Sequence, residues 1–313
     1  MTTPQSVEKA VEGAPVGSAP EHVDVEHARR RHRPGHWVLG AVIFGAAAWI
    51  AHFAITNENL EWPVVGQYLF SAQVLQGLLT TLVVSVVTQL IGMAIGTVMA
   101  LLRLSAFAPA RWTATAYVTL FRSVPVLLQL VFWFNLAYLV PTMGIGIPLG
   151  PTFFSASTND VITPPAAAVL GLSLAHGAYM TEIVRGSLTS VGVGQRDAAR
   201  ALGYTPAQTF LRVVLPQAVR VSIPPTGSQF IIAIHGSSLV SVIAVSDLLF
   251  SVQNIYERTY QIVPLLLVAV IWYLVVVLVL TFFQQRLERR FSRGHLRDAV
   301  ARTKSRRPEA ALR

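Results

Sequence analysis

The sequence predicts an all-α integral membrane protein of about six transmembrane helices, on three observations. Of its 313 residues, 53% are hydrophobic and 12% charged, with a mean hydropathy of +0.55, against roughly 25% charged in a soluble domain. Six segments approach or exceed the roughly 20 apolar residues needed to cross about 30 Å of hydrocarbon. Arginines concentrate in alternate intervals between those segments, as retention of positive charge on one side of a membrane requires, and the interval 250–261, with Glu257 and Arg258, is neutral and decides nothing.

In order, the spans are roughly 37–54, 74–103, 113–140, 165–187, 223–249 and 262–285. An unpaired backbone group in lipid costs several kcal/mol, so each span closes into a helix. The intervals 55–73 and 141–164 hold Glu58, Glu61 and Asp160 but no lysine or arginine, and are expected outside. Cations occupy the other side: Arg29, Arg30, Arg31 and Arg33, then Arg103 and Arg111, then Arg196, Arg200, Arg212 and Arg220, then the end beyond Arg286. Both termini are therefore expected in the cytoplasm. The organisation reads as a disordered cytoplasmic tail over 1–35, an extra N-terminal transmembrane helix and outer loop over 36–64, a transmembrane domain over 65–285 and a basic cytoplasmic tail over 286–313. Glu61 to Gln76 mixes aromatic and polar residues and is expected along the outer interface. Pro148, Pro151, Pro164 and Pro165 bracket the second outer loop.

The net charge of +9 concentrates in 29–33 and 286–313, flanking apolar helices, which fits a membrane surface better than nucleic acid. The absence of cysteine excludes disulfides and thiolate chemistry. The two lysines, Lys9 and Lys304, follow no glycine-rich loop, so the chain has no phosphate-binding GxxxxGK[ST] motif. Any ATP is hydrolysed by another subunit.

The longest inward interval, within 188–222, reads GQRDAARALGYTPAQTFLRVVLPQA and encodes two short helices. Gln195 to Leu202 is rich in helix formers and stops at Gly203. The second begins with Thr205 as N-cap, Pro206 at the first helical position and Gln208 completing a capping box. Pro216 is expected to end it. Ala198, Ala199 and Ala201 admit close approach by another surface, with Asp197, Arg196 and Arg200 at the edges to orient it. An amphipathic loop resting on the bilayer is the alternative from physics alone.

The loop resembles the signature of permeases of binding-protein-dependent ABC importers: EAA, three residues, G, nine residues, I, one residue, LP. Asp197, Ala198, Ala199, Gly203, Val213, Leu215 and Pro216 stand at every matching spacing, with aspartate for glutamate and valine for isoleucine. GLLTTL at Gly77–Leu82, FRSVPVLLQL at Phe121–Leu130, AYMTEIVRG at Ala178–Gly186, PPTGSQF at Pro224–Phe230 and SLVSVI at Ser238–Ile243 extend the resemblance over about 65–285. They are most similar to the polar amino-acid branch, of histidine, glutamine and arginine type. The resemblance implies a type I ABC importer architecture in the bacterial cell membrane, with 188–220 as the coupling loop. It also implies a second permease, identical or homologous, two cytoplasmic ATPase subunits carrying ATP and magnesium, and an extracytoplasmic solute-binding protein. This chain would bind no cofactor or metal and catalyse nothing.

Polar groups within the spans are functional candidates. Arg122 either snorkels to the inner surface or pairs with a carboxylate near an inner gate. Glu182 and Arg185, three residues apart on one helical face, form either a local ion pair or a gating contact. Gln129, Asn135, His176 and Gln229 either line a polar route or bridge helices. His235, Gly236, Ser237 and Ser238 interrupt the fifth span, either as a packed bend or as a break whose restarted half offers free N–H groups to a substrate carboxylate. Relatives often carry a lysine-aspartate-threonine run at 235–237, which leaves the substrate open. The rival reading is an ion-coupled secondary transporter or channel for small polar solutes, but the central parts of the spans hold no acidic relay. An intramembrane enzyme lacks its motifs: no HExxH or GxSxG is present.

Overall fold

The computed structural model describes residues 34–146 and 152–306, with side chains for 38–144 and 153–290. The expected tail over 1–35 falls almost wholly on residues outside the described ones, as do Pro148 and Pro151. The chain divides into two units at Asn57. The first contributes α1 (Pro34–Thr56), whose large side chains, among them Val38, Phe44, Trp49 and Ile55, are exposed all around the helix. A helix apolar on every face has no side to offer water.

The second unit opens with α2 (Trp62–Leu69), α3 (Ala72–Arg103), α4 (Ala108–Ser123) and α5 (Val126–Phe134). A hairpin of β1 (Thr142–Gly146) and β2 (Thr152–Ser157) and the single turn α6 (Thr158–Val161) follow. Next come α7 (Pro164–Ser190) and the loop helix α8 (Val193–Ala201). From α9 (Pro206–Gln208) the chain runs through a π-helical stretch, Thr209–Val214, into α10 (Leu215–Ser237) and a 3-10 helix, Ser238–Ile243. The last elements are α11 (Leu248–Thr259) and α12 (Ile262–Arg306).

Several expectations are corrected here. The third span, placed at 113–140, is not one helix: α4 and α5 meet at 100°. Pro125 cannot donate an amide hydrogen and holds Val124 extended, at φ −91° and ψ 129°. Five described helices are long and apolar enough to cross a membrane, or six if this bent pair counts as one span. The fifth span, placed at 223–249, instead runs unbroken from Pro206 to Ile243. The second outer loop, in which the sequence signalled only prolines, holds the antiparallel β1–β2 hairpin, with Thr142 opposite Ser157 and Met143 opposite Ala156. At the other end, α12 passes the expected boundary at 285 because no proline interrupts the chain before Pro308.

The bundle is organised around α3 and α7, its most extensive helix pair. Small residues bring the backbones together: a Cβ on Gly92 would meet the His176 ring at 2.7 Å, and one on Gly96 would meet Met180 Cβ at 2.5 Å. The Gly92-x-x-x-Gly96 spacing therefore works as a close-packing face. One core cluster, Val65, Val74, Leu248, Val252, Leu265 and Val268, joins α2, α3, α11 and α12. A second, with Leu130, Ala168, Leu172, Val240 and Ile243, packs α5 and the 3-10 helix onto α7.

Gly96→Ala is expected to destabilise the purified chain by about 1–3 kcal/mol through overpacking. Gly186→Ala, where nothing lies within 4 Å, should keep or raise the thermal midpoint, since alanine favours a helix interior by roughly 0.5–1 kcal/mol. Equal midpoints for the two variants in detergent would show that the seam is not close-packed.

Candidate functional site

The segment 188–220 is built as two capped helices, as its sequence predicts, but it does not stop where expected. Helix α8 closes with Gly203 at φ +79°. Gly203 N donates to Arg200 O at 2.9 Å and Tyr204 N to Ala199 O at 3.1 Å, the paired bonds of a Schellman cap. A residue with a Cβ is strained there, which fixes glycine four positions after Ala199. Thr205 then starts the second helix: its hydroxyl accepts from Gln208 N at 3.2 Å and its N–H donates to Gln208 Oε1 at 3.0 Å.

Pro216, expected as the end of this helix, lies in the first turn of α10 instead. The π-helical turns at Thr209–Val214 give its ring room, where a regular helix would clash with a carbonyl one turn back. Gln217 Nε2 donates to Val213 O at 2.9 Å within the same turns. The loop is thus a rigid extension of the span. Its footing is a core of Leu188, Val191, Val214 and Ala218, with Phe210 and Val184 against it.

Helix α8 stands on that footing with two unlike faces. Ala199 is buried (4% exposed), and Arg196 Nη2 donates to Leu188 O at 2.7 Å, so this face is spent on the chain's own packing. The reading of Ala199 as part of a surface for a partner is therefore corrected. Ala198 and Ala201 are exposed, as are Val193 and Leu202 at 70 and 77%. Asp197 and Arg200 face each other at 3.6 Å, both largely exposed, a pair that adds little stability. Val213 and Leu215 are half-buried and Pro216 is exposed.

Next to the loop, one carboxylate gathers three guanidinium groups. Glu182 on α7 bonds Arg103, the last residue of α3. It receives Arg185 at 2.8 Å and lies 3.7 Å from Arg122 near the end of α4. Arg122 also sits over the Tyr179 ring, 5.2 Å from its centroid. The sequence reading named Arg122, Glu182 and Arg185 but missed Arg103, which entered only as a topological cation. Its signal was its place as the final residue of an apolar run. Glu182 ties the ends of three helices, and each arginine carries charge that only this carboxylate offsets among the described residues.

The candidate route residues separate into fixed and free. His176 is buried and its Nε2 lies 2.7 Å from Gln89 Oε1 of α3, so it bridges helices. Gln129 Nε2 donates to Phe121 O at 3.0 Å and Val124 O at 2.8 Å, which satisfies carbonyls freed by the α4–α5 bend. Asn135 Nδ2 bonds Val131 O in its own turn.

The interruption expected at His235–Ser238 does not open a helix end. Ser237 Oγ donates to Ile234 O and Ser238 Oγ to His235 O, each at 2.7 Å, while the backbone tightens into 3-10 form. The next helix N-terminus, at Leu248, is already taken: Thr81 Oγ1 accepts from Leu248 N at 3.0 Å and Asp247 Oδ1 from Phe250 N at 2.9 Å. No free N–H cluster remains there for a substrate carboxylate. Gln229 is half-buried and His235 exposed, and neither side chain has a hydrogen bond among the described residues. No group of three His, Cys, Asp or Glu that could hold a metal occurs among the described residues.

Comparisons with known proteins bear on this arrangement. Residues 92–293 match the family model described as a binding-protein-dependent transport system inner membrane component. The arginine transport system permease protein ArgU of Corynebacterium glutamicum is 34% identical over 290 residues, 92% of this chain and 90% of that one. That coverage takes in α1, so the similarity reaches upstream of residue 65. The L-cystine transport system permease protein TcyB of Bacillus subtilis is 34% identical over 75% of this chain and 92% of its own length. Among solved structures, an amino acid ABC transporter with histidines matches at TM-score 0.60 and 29% identity, over 70% of this chain and 94% of that one. The MetNI methionine ABC transporter, in an inward-facing form, matches at TM-score 0.57 and 21% identity, over 71% and 97%, a likeness of fold alone. The chain belongs to the family of binding-protein-dependent transport system inner membrane components, the membrane-spanning permeases of ABC transporters.

Proposed function

We propose that this permease imports a polar amino acid delivered by an extracytoplasmic binding protein, driven by two separate ATPase subunits acting on α8. In this reading the arginine-rich end faces the cytoplasm, both termini lie there, and a second permease completes the route. The observation that carries it is the exposed face of Ala198, Ala201 and Leu202 on a helix whose opposite face, at Ala199, is locked to the chain. Small side chains let a partner approach the α8 backbone, and Leu202 offers it apolar area to bury. ATP and magnesium are held on the partner, and this chain contributes no catalytic group.

The substrate class is supported by relatives named for arginine, L-cystine and glutamate/aspartate. Those amino acids differ in side-chain charge and share an α-ammonium and an α-carboxylate. Polar side chains without a hydrogen bond among the described residues, such as Gln229 and His235, suit that shared part, and they replace His176, Gln129, Ser237 and Ser238 as the candidates for the route. Movement at α8 passes along α10 to these residues, while Glu182 holds the inner ends of α3, α4 and α7 together as a gate.

Two outcomes check this. Ala198→Trp should leave yield and thermal midpoint near wild type and cut ATP-driven uptake in proteoliposomes by about ten-fold or more, equivalent to about 1.4 kcal/mol. Ala199→Trp should lose yield, since it overfills the chain's own packing. Full uptake by an assembled Ala198→Trp importer would sink the docking assignment. For the gate, a double-mutant cycle on Glu182→Gln and Arg103→Gln should read a coupling of about 1–3 kcal/mol in thermal stability, between the limits for exposed and buried pairs. A coupling near zero would remove Glu182 as a tie between helices.

A further inference from the structure

Between the footing of α8 and the end of α3 lies a cavity of about 410 Å³, within the range of roughly 300–1,000 Å³ common to small-molecule sites. Its floor is Leu188, Thr209 and Val214, 4, 6 and 5% exposed. Leu101, in the last turn of α3, Leu104, just after it, and Arg200 stand at its rim.

Two polar atoms of the lining are buried without a hydrogen-bond partner: Thr209 Oγ1 and Arg196 Nε. An unsatisfied buried donor costs about 1–3 kcal/mol, so each calls for a partner that the described residues do not supply. Among the described residues no carboxylate lines the cavity. The closest acidic competitor for Arg200, Asp197, is a solvent-exposed partner at 3.6 Å, weak enough to exchange. The lining thus holds two guanidinium groups and a hydroxyl, with the exposed Asp197 beside Arg200 as their nearest carboxylate.

The apolar half of the lining narrows the class. A small anion would satisfy the donors and leave Leu101, Leu104 and Phe210 against water. A phosphate carrying acyl chains covers both parts, at the end of apolar helices where basic residues meet the lipid headgroups. A headgroup that carries its own cation would place it beside the arginines.

We propose that this cavity binds an anionic phospholipid, its phosphate held by Arg196, Arg200 and Thr209 and its first acyl carbons on Leu101 and Leu104. The lipid would join α8 to the end of α3 and make coupling sensitive to the charge of the inner leaflet. The inference rests on the proposed function only in setting this loop at the cytoplasmic membrane surface.

The test is native mass spectrometry of the full chain, purified and mixed with equimolar palmitoyl-oleoyl phosphatidylglycerol and phosphatidylcholine. Phosphatidylglycerol should be retained preferentially, and excess glycerol 3-phosphate should not displace it. Arg200→Gln, at an exposed position, should lower that retention about five-fold, the effect of one basic residue at an anionic surface. Thr209→Val should lower it several-fold while keeping or raising the thermal midpoint in lipid-free detergent, because valine removes an unpaired hydroxyl. Equal retention of the two lipids, or undiminished retention by Thr209→Val, would overturn the site. Displacement by glycerol 3-phosphate would overturn the lipid as its source. ATP-driven uptake in liposomes separates the two readings: uptake with no lipid preference sinks the lipid site alone, and lipid preference without ATP-driven uptake sinks the importer reading alone.

Discussion

The capping box at Thr205 and the π-helical turns before Pro216 join the loop and the span into one continuous helical run. A regular α-helix would break or kink at Pro216 and leave the loop hinged on the bundle. The wider turns carry the chain past the proline, so a run of 38 residues from Pro206 to Ile243 spans about 55 Å at the rise of a helix. A displacement at the loop cannot be absorbed by slack between loop and span. The Schellman cap at Gly203 fixes the angle at which α8 meets this run, and the core of Leu188, Val191, Val214 and Ala218 fixes its seat.

The rest of the bundle divides into what is held and what is free to respond. The α3–α7 pair is held by the close approach at Gly92 and Gly96 and by Glu182 of α7, which draws in Arg103 of α3 and lies near Arg122 of α4. His176 and Gln89 add a hydrogen bond between the same helices. In the run from Pro206, Ala218, Ala233 and Ile234 are buried, while the Gln229 and His235 side chains have no hydrogen bond among the described residues. The proposed transport cycle needs that division, because a route opens only if one element moves relative to another.

The sequence carried local signals well and relational ones poorly. Apolar length gave most of the spans, and the Thr205, Gln208 and Gly203 caps could be read directly because they depend on neighbours three to five residues away. The π-helical passage could not, since Pro216 as a helix stop and Pro216 in a first turn differ only in the hydrogen bonds of the preceding turns. Ala199 was misread for a similar reason: alanines in a row show that a surface is small, and only packing shows which of them faces the chain. The α4–α5 bend was announced by Ser123-Val-Pro125, yet the apolar residues on both sides of it read as a single span. Arg103 was legible as a cation, while its partner lay 79 positions away. The Gly92-x-x-x-Gly96 spacing was in plain view and passed unused.

The central claim is that α8 presents Ala198 outward to an ATPase and keeps Ala199 for itself. The chain has no cysteine, so Ala198→Cys and Ala199→Cys each give a single thiol whose maleimide labelling can be followed with and without the cognate ATPase. The account predicts that the thiol at 198 labels rapidly in the free chain and is protected in the complex, and that the thiol at 199 labels slowly in both. Equal labelling at 198 with and without the ATPase would contradict it.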